Sequence, residues 1–315
     1  MTLPPLTTAT FVALTAAIAA SWAPQFISGV AARGLWMVLA CIATGLAFAA
    51  GVLTPAGGLA LTLFALLCIA ARRARGTART VVAHVALVVA CAALFVHVVP
   101  GFHNPLLLSV TTSPDAVPYI KFLNFDKGMA ALLLLGIYMP ERVGAKRLTT
   151  TPVVVAPAGA DHEAVWRAFA WRFAAMVVVV GAATLAAGYA RWDPKLPSWW
   201  PAWLWSMVFF TALPEEVLFR GWLQTGIASR LRDSRLGGSG RAEATAIIGA
   251  GALFGLAHAA GGPVYVVLAT AAGIGYGWIY ASTRSLVCAV AAHAGLNTMH
   301  LLFFTYPALR AALAG

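Results

Sequence analysis

Stretches of about twenty mostly apolar residues recur along almost the whole chain, each long enough to cross the hydrocarbon core of a bilayer as a helix. They run roughly over Thr8–Ala31, Leu35–Leu53, Gly58–Ala71, Thr80–Val99, Tyr119–Met139, Trp166–Ala190, Trp203–Ser229, Ala242–Ala260, Pro263–Ala281 and Leu286–Phe304. Inside lipid every backbone N–H and C=O must be satisfied within the protein, and consecutive apolar segments do this as helices. The expected fold is therefore an all-α integral membrane protein, a polytopic bundle of about eight to ten transmembrane helices. Composition agrees: 10% of the residues are charged, against about 25% in an ordinary soluble domain. The fifth segment is the weakest, because Lys121, Asp126 and Lys127 leave only Met129–Met139 cleanly apolar, so an interfacial or re-entrant path is the alternative.

The formal charge of +11 might suggest a nucleic-acid partner, but the basic residues lie in short blocks between apolar runs, where they act as topology signals. With ten spans, one side carries fourteen of them: Arg33, the cluster Arg72, Arg73, Arg75 and Arg79, then Arg142, Lys146, Arg147, Arg167, Arg230, Arg232, Arg235, Arg241 and Arg284. The other side carries four, Lys121, Arg191, Lys195 and Arg310, so the first is expected to be cytoplasmic. Cys41, Cys68, Cys91 and Cys288 fall in apolar runs without metal-type spacing and read as small buried hydrophobes. No Lys or Arg precedes the first run, so it reads as a retained helix rather than a cleaved signal. The chain divides into an N-terminal transmembrane module of about five spans (1–148), a linker (149–165) rich in Thr, Val, Pro and Ala, a connecting span with a Trp/Pro loop (166–198), and a C-terminal membrane domain (199–306).

Of the ten acidic residues only Glu215 and Glu216 fall in the middle of an apolar run. A carboxylate there costs several kcal/mol unless paired, so by default it marks function. On a helix Glu216 and Arg220 are four apart and share a face, which allows an ion pair, while Glu215 points about 100° away and is left to accept a proton. A purely structural Glu and Arg network is the bland alternative. His258, and the pair His293 and Asn297 on one face four apart, bring further polar groups into the following spans. His84 and His97 read as satisfied core histidines, and His300 as packing. Gly273-Ile274-Gly275-Tyr276-Gly277 places two glycines four apart, a pattern for close helix approach. Phosphate-binding loops, the His-Glu-x-x-His zinc helix and the Gly-x-Ser-x-Gly elbow are absent from the sequence.

Glu215-Glu216 with Arg220, Phe254 with His258, and His293 with Asn297 resemble, in order, the three motifs of the CAAX-protease and bacteriocin-processing (CPBP, Abi-like) family of intramembrane endopeptidases. The resemblance covers about Trp199 to Phe304 and gives domain 199–306 a CAAX-protease-like reading. It implies that Glu215 and His258 activate a water, that His293 and Asn297 stabilise the oxyanion, and that Glu216 and Arg220 support them. No cofactor is expected; the alternative within the family is a zinc ion held by Glu215, His258 and His293. The implied partners are the bilayer and a membrane-embedded or lipidated protein or peptide, with no nucleic acid, and the implied location is multi-pass, in a bacterial plasma membrane. The rivals are a non-enzymatic scaffold or bacteriocin-immunity factor with the same fold, and a proton-coupled transporter, which would be expected to show two related halves not seen here.

Overall fold

The computed structural model describes residues 3–22, 30–139, 161–232 and 238–313. The chain is an all-α polytopic membrane protein, with ten helices among the described residues: α1 (Pro5–Trp22), α2 (Val30–Ala49), α3 (Pro55–Arg73), α4 (Thr77–Phe95), α5 (Phe125–Leu133), α6 (His162–Ala186), α7 (Trp200–Arg232), α8 (Ser239–Leu256), α9 (Pro263–Thr283) and α10 (Leu286–Phe303). Six of them, α3, α4, α6, α7, α9 and α10, are long and apolar enough to cross a membrane, and the apolar stretches Pro5–Ser21 and Gly34–Ala49 are shorter. Helix starts follow the sequence. Pro55 and Pro263 supply the preset φ of a first turn, and the Asp161 carboxylate accepts from the N–H groups of Glu163 and Ala164 at 3.0 and 3.2 Å. Val30 and Ala31, expected at the end of the first span, instead begin α2. The linker core Thr149–Ala160 lies outside the described residues.

The described residues gather into two compact units, one of residues 1–108, 121–142 and 209–214, the other of 109–120, 143–208 and 215–315. The first is centred on Phe11 and Leu14 of α1, with Phe11 meeting Phe125 and Phe210 edge to face at 6.0 and 5.2 Å. Here the fifth predicted span is corrected. Its first residues, Tyr119–Phe122, form strand β2, paired with β1 (Leu106–Val110), and the helix begins only at Phe125. Pro118 and Asn124 interrupt a helix at either side of Lys121, whose ammonium bonds the Thr211 hydroxyl.

Although short, α5 with its π-helical continuation Leu134–Tyr138 runs back along α4 from beyond its end to His84, two turns from its start. Asp126 at its start receives His97 Nδ1 at 2.6 Å just beyond the end of α4. At its finish the Tyr138 hydroxyl meets His84 Nε2 at 2.8 Å near the start of α4, and Ile137 O accepts from Arg72 Nη1 at 3.0 Å at the end of α3. On the expected ten-span path this segment is the fifth crossing. Tags in the Arg72–Arg79 loop and in the Arg230–Arg241 loop are both expected to report cytoplasmic. A non-cytoplasmic report from either contradicts this path. His84 also has Thr80 O at 2.7 Å and is half-buried, whereas His97, expected in the core, is hydrogen-bonded but exposed at the end of α4. Cys68, Cys91 and Cys288 are buried, but Cys41 is exposed on α2, because an apolar helix surface that faces lipid needs no protein cover.

In the second unit α6, α7, α8, α9 and α10 pack together, and glycines set their spacing. A Cβ on Gly251 would stand 2.9 Å from the backbone nitrogen of Ile274, and one on Gly277 would stand 2.7 Å from Gln224 Oε1. The Gln224 amide in turn donates to Gly277 O at 3.0 Å. The glycine pattern of α9 is thus a contact surface. Gly251→Val is expected to push α8 from α9 and lower the melting temperature, at a cost of about 1–3 kcal/mol typical of overpacking.

At the end of this unit away from Arg241 and Arg284, three segments are tied together. Arg191 Nε donates to Asp115 at 2.7 Å, Lys195 Nζ lies 3.0 Å from Asp193, Ser113 donates to Asp193, and Arg310 Nε donates to Ala116 O at 2.9 Å. Partial burial raises the Asp193 carboxyl, but the Ser113 hydroxyl and Lys195 ammonium outweigh it and hold the group below its usual range. A depressed carboxylate stabilises the fold at pH values above its unfolded pKa, and loses that contribution only as the pH falls through the folded one.

Candidate active site

The central helix α7 is not a uniform α-helix. Wider π turns at Val208–Ala212 and Val217–Gln224 flank the short α-helical stretch Leu213–Glu216. Pro214 accounts for the first: a proline inside a helix has no N–H to give and its ring presses on the carbonyl four residues back, and a widened turn relieves both. π turns of this kind concentrate at functional sites. Here they bracket the two carboxylates.

Glu216 and Arg220 are both fully buried and form the ion pair that their spacing predicts, Arg220 Nε to Glu216 Oε2 at 2.8 Å. The rest of the guanidinium is enclosed by aromatic rings. Its carbon lies 5.4 Å from the centre of Phe254, 5.8 Å from Phe219 and 5.9 Å from Tyr276, while Nη1 and Nη2 have no hydrogen-bond partner among the described residues. Ring faces attract such a cation by about 0.5–2 kcal/mol each. The other oxygen of Glu216, Oε1, faces His293 Nδ1 at 2.9 Å. Because a carboxylate accepts, Nδ1 carries the proton and donates, and the opposite nitrogen, Nε2, looks towards Glu215 Oε2 at 4.0 Å. One imidazole from α10 thus stands between both carboxylates of α7. Tyr276 stacks flat on it, with ring centres 4.6 Å apart and planes 11° apart.

His258 and Asn297 stand further out. His258 does not lie within a span: α8 ends at Leu256, and the histidine occupies the turn beyond, half-buried. Its Nδ1 is 2.8 Å from Phe254 O and must be the protonated nitrogen, so Nε2 is the one able to accept a proton. Phe254 links this ring to the buried group, its own ring centre being 4.6 Å from His258 and 5.6 Å from His293. Asn297 shares a face of α10 with His293, as four-residue spacing requires, but its amide donates to Met207 Sδ at 3.4 Å. Tyr276, which the motif spacing does not single out, sits inside the glycine pattern of α9 and packs on both His293 and the Arg220 guanidinium. An aromatic residue amid a small-residue helix face was the available signal.

Among the described residues no three His, Cys, Asp or Glu side chains stand close enough together to share an ion, and Glu215, His258 and His293 form no such cluster. This geometry does not fit a three-ligand zinc centre.

A helical membrane protein that keeps two carboxylates, a guanidinium and an imidazole within its bundle places ionisable chemistry inside the bilayer. Residues 197–299, about a third of the chain, match the family model described as type II CAAX prenyl endopeptidase, Rce1-like. The matched segment contains every residue of the site and is similar to that family. No curated protein and no solved structure matches the chain.

Proposed function

We propose that the chain is a multi-pass endopeptidase of a bacterial plasma membrane that hydrolyses a peptide bond in a membrane-embedded, lipidated or C-terminally tagged protein. The observation that carries the reading is the His293 ring held between Glu216 and Glu215, inside the segment that matches the family. Glu215 serves as the base, with His258 Nε2 as its partner: together they take a proton from water as its oxygen attacks the carbonyl carbon. The carbonyl electron pair moves onto oxygen, and His293 and Asn297 donate hydrogen bonds to that oxyanion. Glu216 on Nδ1 fixes the orientation of the His293 ring. When the tetrahedral intermediate collapses, the C–N bond breaks and the amine leaves with the proton that Glu215 and His258 had accepted.

No step passes through a metal. Purified protein is expected to hold substoichiometric zinc and to cleave unchanged after exhaustive chelation. Loss of activity on chelation, restored by zinc, would make ligands of Glu215, His258 and His293. The reading itself is tested by incubating purified protein in nanodiscs with a library of membrane-anchored peptides and looking for products by mass spectrometry, with Glu215→Gln as the control.

A further inference from the structure

Arg172 is a cation of the α6 span that the reaction does not use. It is half-buried, its Nη1 donates to Ala168 O at 3.0 Å, and its buried Nε has no acceptor among the described residues. Other arginines near this end of the unit do face carboxylates: Arg167 lies 3.6 Å from Glu163, Arg232 3.7 Å from Glu243, and Arg284 3.9 Å from Glu243. None of the described ion pairs includes Arg172. Instead its guanidinium lies against two indoles, 4.2 Å from the centre of Trp171 and 5.1 Å from that of Trp278, and these rings meet edge to face at 4.8 Å. Both indoles are open to the surroundings, Trp171 by 51% and Trp278 by 36%.

The location says what those surroundings are. A hydrogen bond to the carbonyl four residues back turns the side chain towards the start of α6, the end that bears Arg167. Trp278 stands on the last turns of α9, five residues before Thr283 and so roughly 8 Å from its end. That end carries Arg167, Arg230, Arg232, Arg241 and Arg284 and is the cytoplasmic one by its charge. A cation that reaches for headgroup depth between two lipid-facing indoles, with no carboxylate of its own, has one abundant complement there, a phosphodiester anion. We propose that Arg172, Trp171 and Trp278 form a binding site for the phosphate of an anionic phospholipid in the cytoplasmic leaflet.

The test is a titration of the detergent-solubilised full chain with phosphatidylglycerol, phosphatidylcholine and inorganic phosphate, read by thermal shift and by native mass spectrometry. Phosphatidylglycerol is expected to bind saturably and raise the melting temperature, with phosphatidylcholine and inorganic phosphate giving much less. Arg172→Gln should weaken that binding by about fivefold or more, the effect of one basic group at a charged surface. Trp278→Leu keeps the charge and removes one wall, and is expected to weaken binding as well, which guards against a poorly folding Arg172 variant. Arg167→Gln, an exposed arginine on the same helix, should change little. Equal binding of the two lipids, reproduction of the shift by inorganic phosphate, or an equal loss in Arg167→Gln and Arg172→Gln would each overturn the site.

Discussion

Glu215→Gln is expected to abolish peptide cleavage while leaving a folded protein of near-normal abundance. The substitution keeps the size of the side chain and most of its hydrogen bonding but removes the group that accepts the proton, and general-base catalysis of this kind contributes about 10²–10⁴-fold. Glu215 is buried, and its Oε2 lies 4.0 Å from His293 Nε2. The neutral amide leaves the Glu216–Arg220 pair untouched, so melting temperature should move little while turnover falls below detection. Wild-type-like turnover in this variant would remove Glu215 from the reaction.

Glu216→Gln is expected to fail in a different way. Glu216 holds Arg220 at 2.8 Å through one oxygen and His293 at 2.9 Å through the other, and both it and Arg220 are shut away from solvent. Removing its charge strands a guanidinium in the bundle, a defect that costs about 3–5 kcal/mol in buried pairs. Stability and activity should therefore drop together. Glu216→Gln combined with Arg220→Met removes the stranded charge and should recover part of the melting temperature without recovering cleavage, because His293 still lacks the carboxylate that orients it. Thermal shifts and turnover on the three proteins in nanodiscs decide the matter. If Glu216→Gln is stable and inactive while Glu215→Gln still cleaves, the two carboxylates have exchanged roles.

Much of this architecture is legible in the order of residues because lipid permits few solutions. Apart from the first and fifth, the long apolar runs between arginine blocks become helices whose ends fall within about five residues of the expected ones, and two residues four apart on a buried helix, Glu216 and Arg220, meet as an ion pair. The departures have physical causes too. Tyr119, Ile120 and Phe122 are apolar in any hydropathy window, yet they form a strand, since average hydropathy cannot tell a short β ribbon from the start of a span. The π turns of α7 shift side chains off the 3.6-residue period on which any face argument rests, and only Pro214 hints at them. The apolar run continues past His258, yet α8 ends at Leu256 and the histidine sits in the turn that leads through Gly261-Gly262 to α9. The meeting of His293 with both carboxylates joins residues 77 positions apart, and only the packing of α10 against α7 brings them together.

The most direct test of the central claim is a comparison of protein termini in membranes of cells that carry the wild-type chain with those that carry Glu215→Gln at equal abundance. An endopeptidase working through Glu215 predicts a small set of membrane-protein termini present with the wild type, missing with the variant, and replaced there by the uncleaved precursors. Identical termini in both membranes, with both proteins folded, would contradict it.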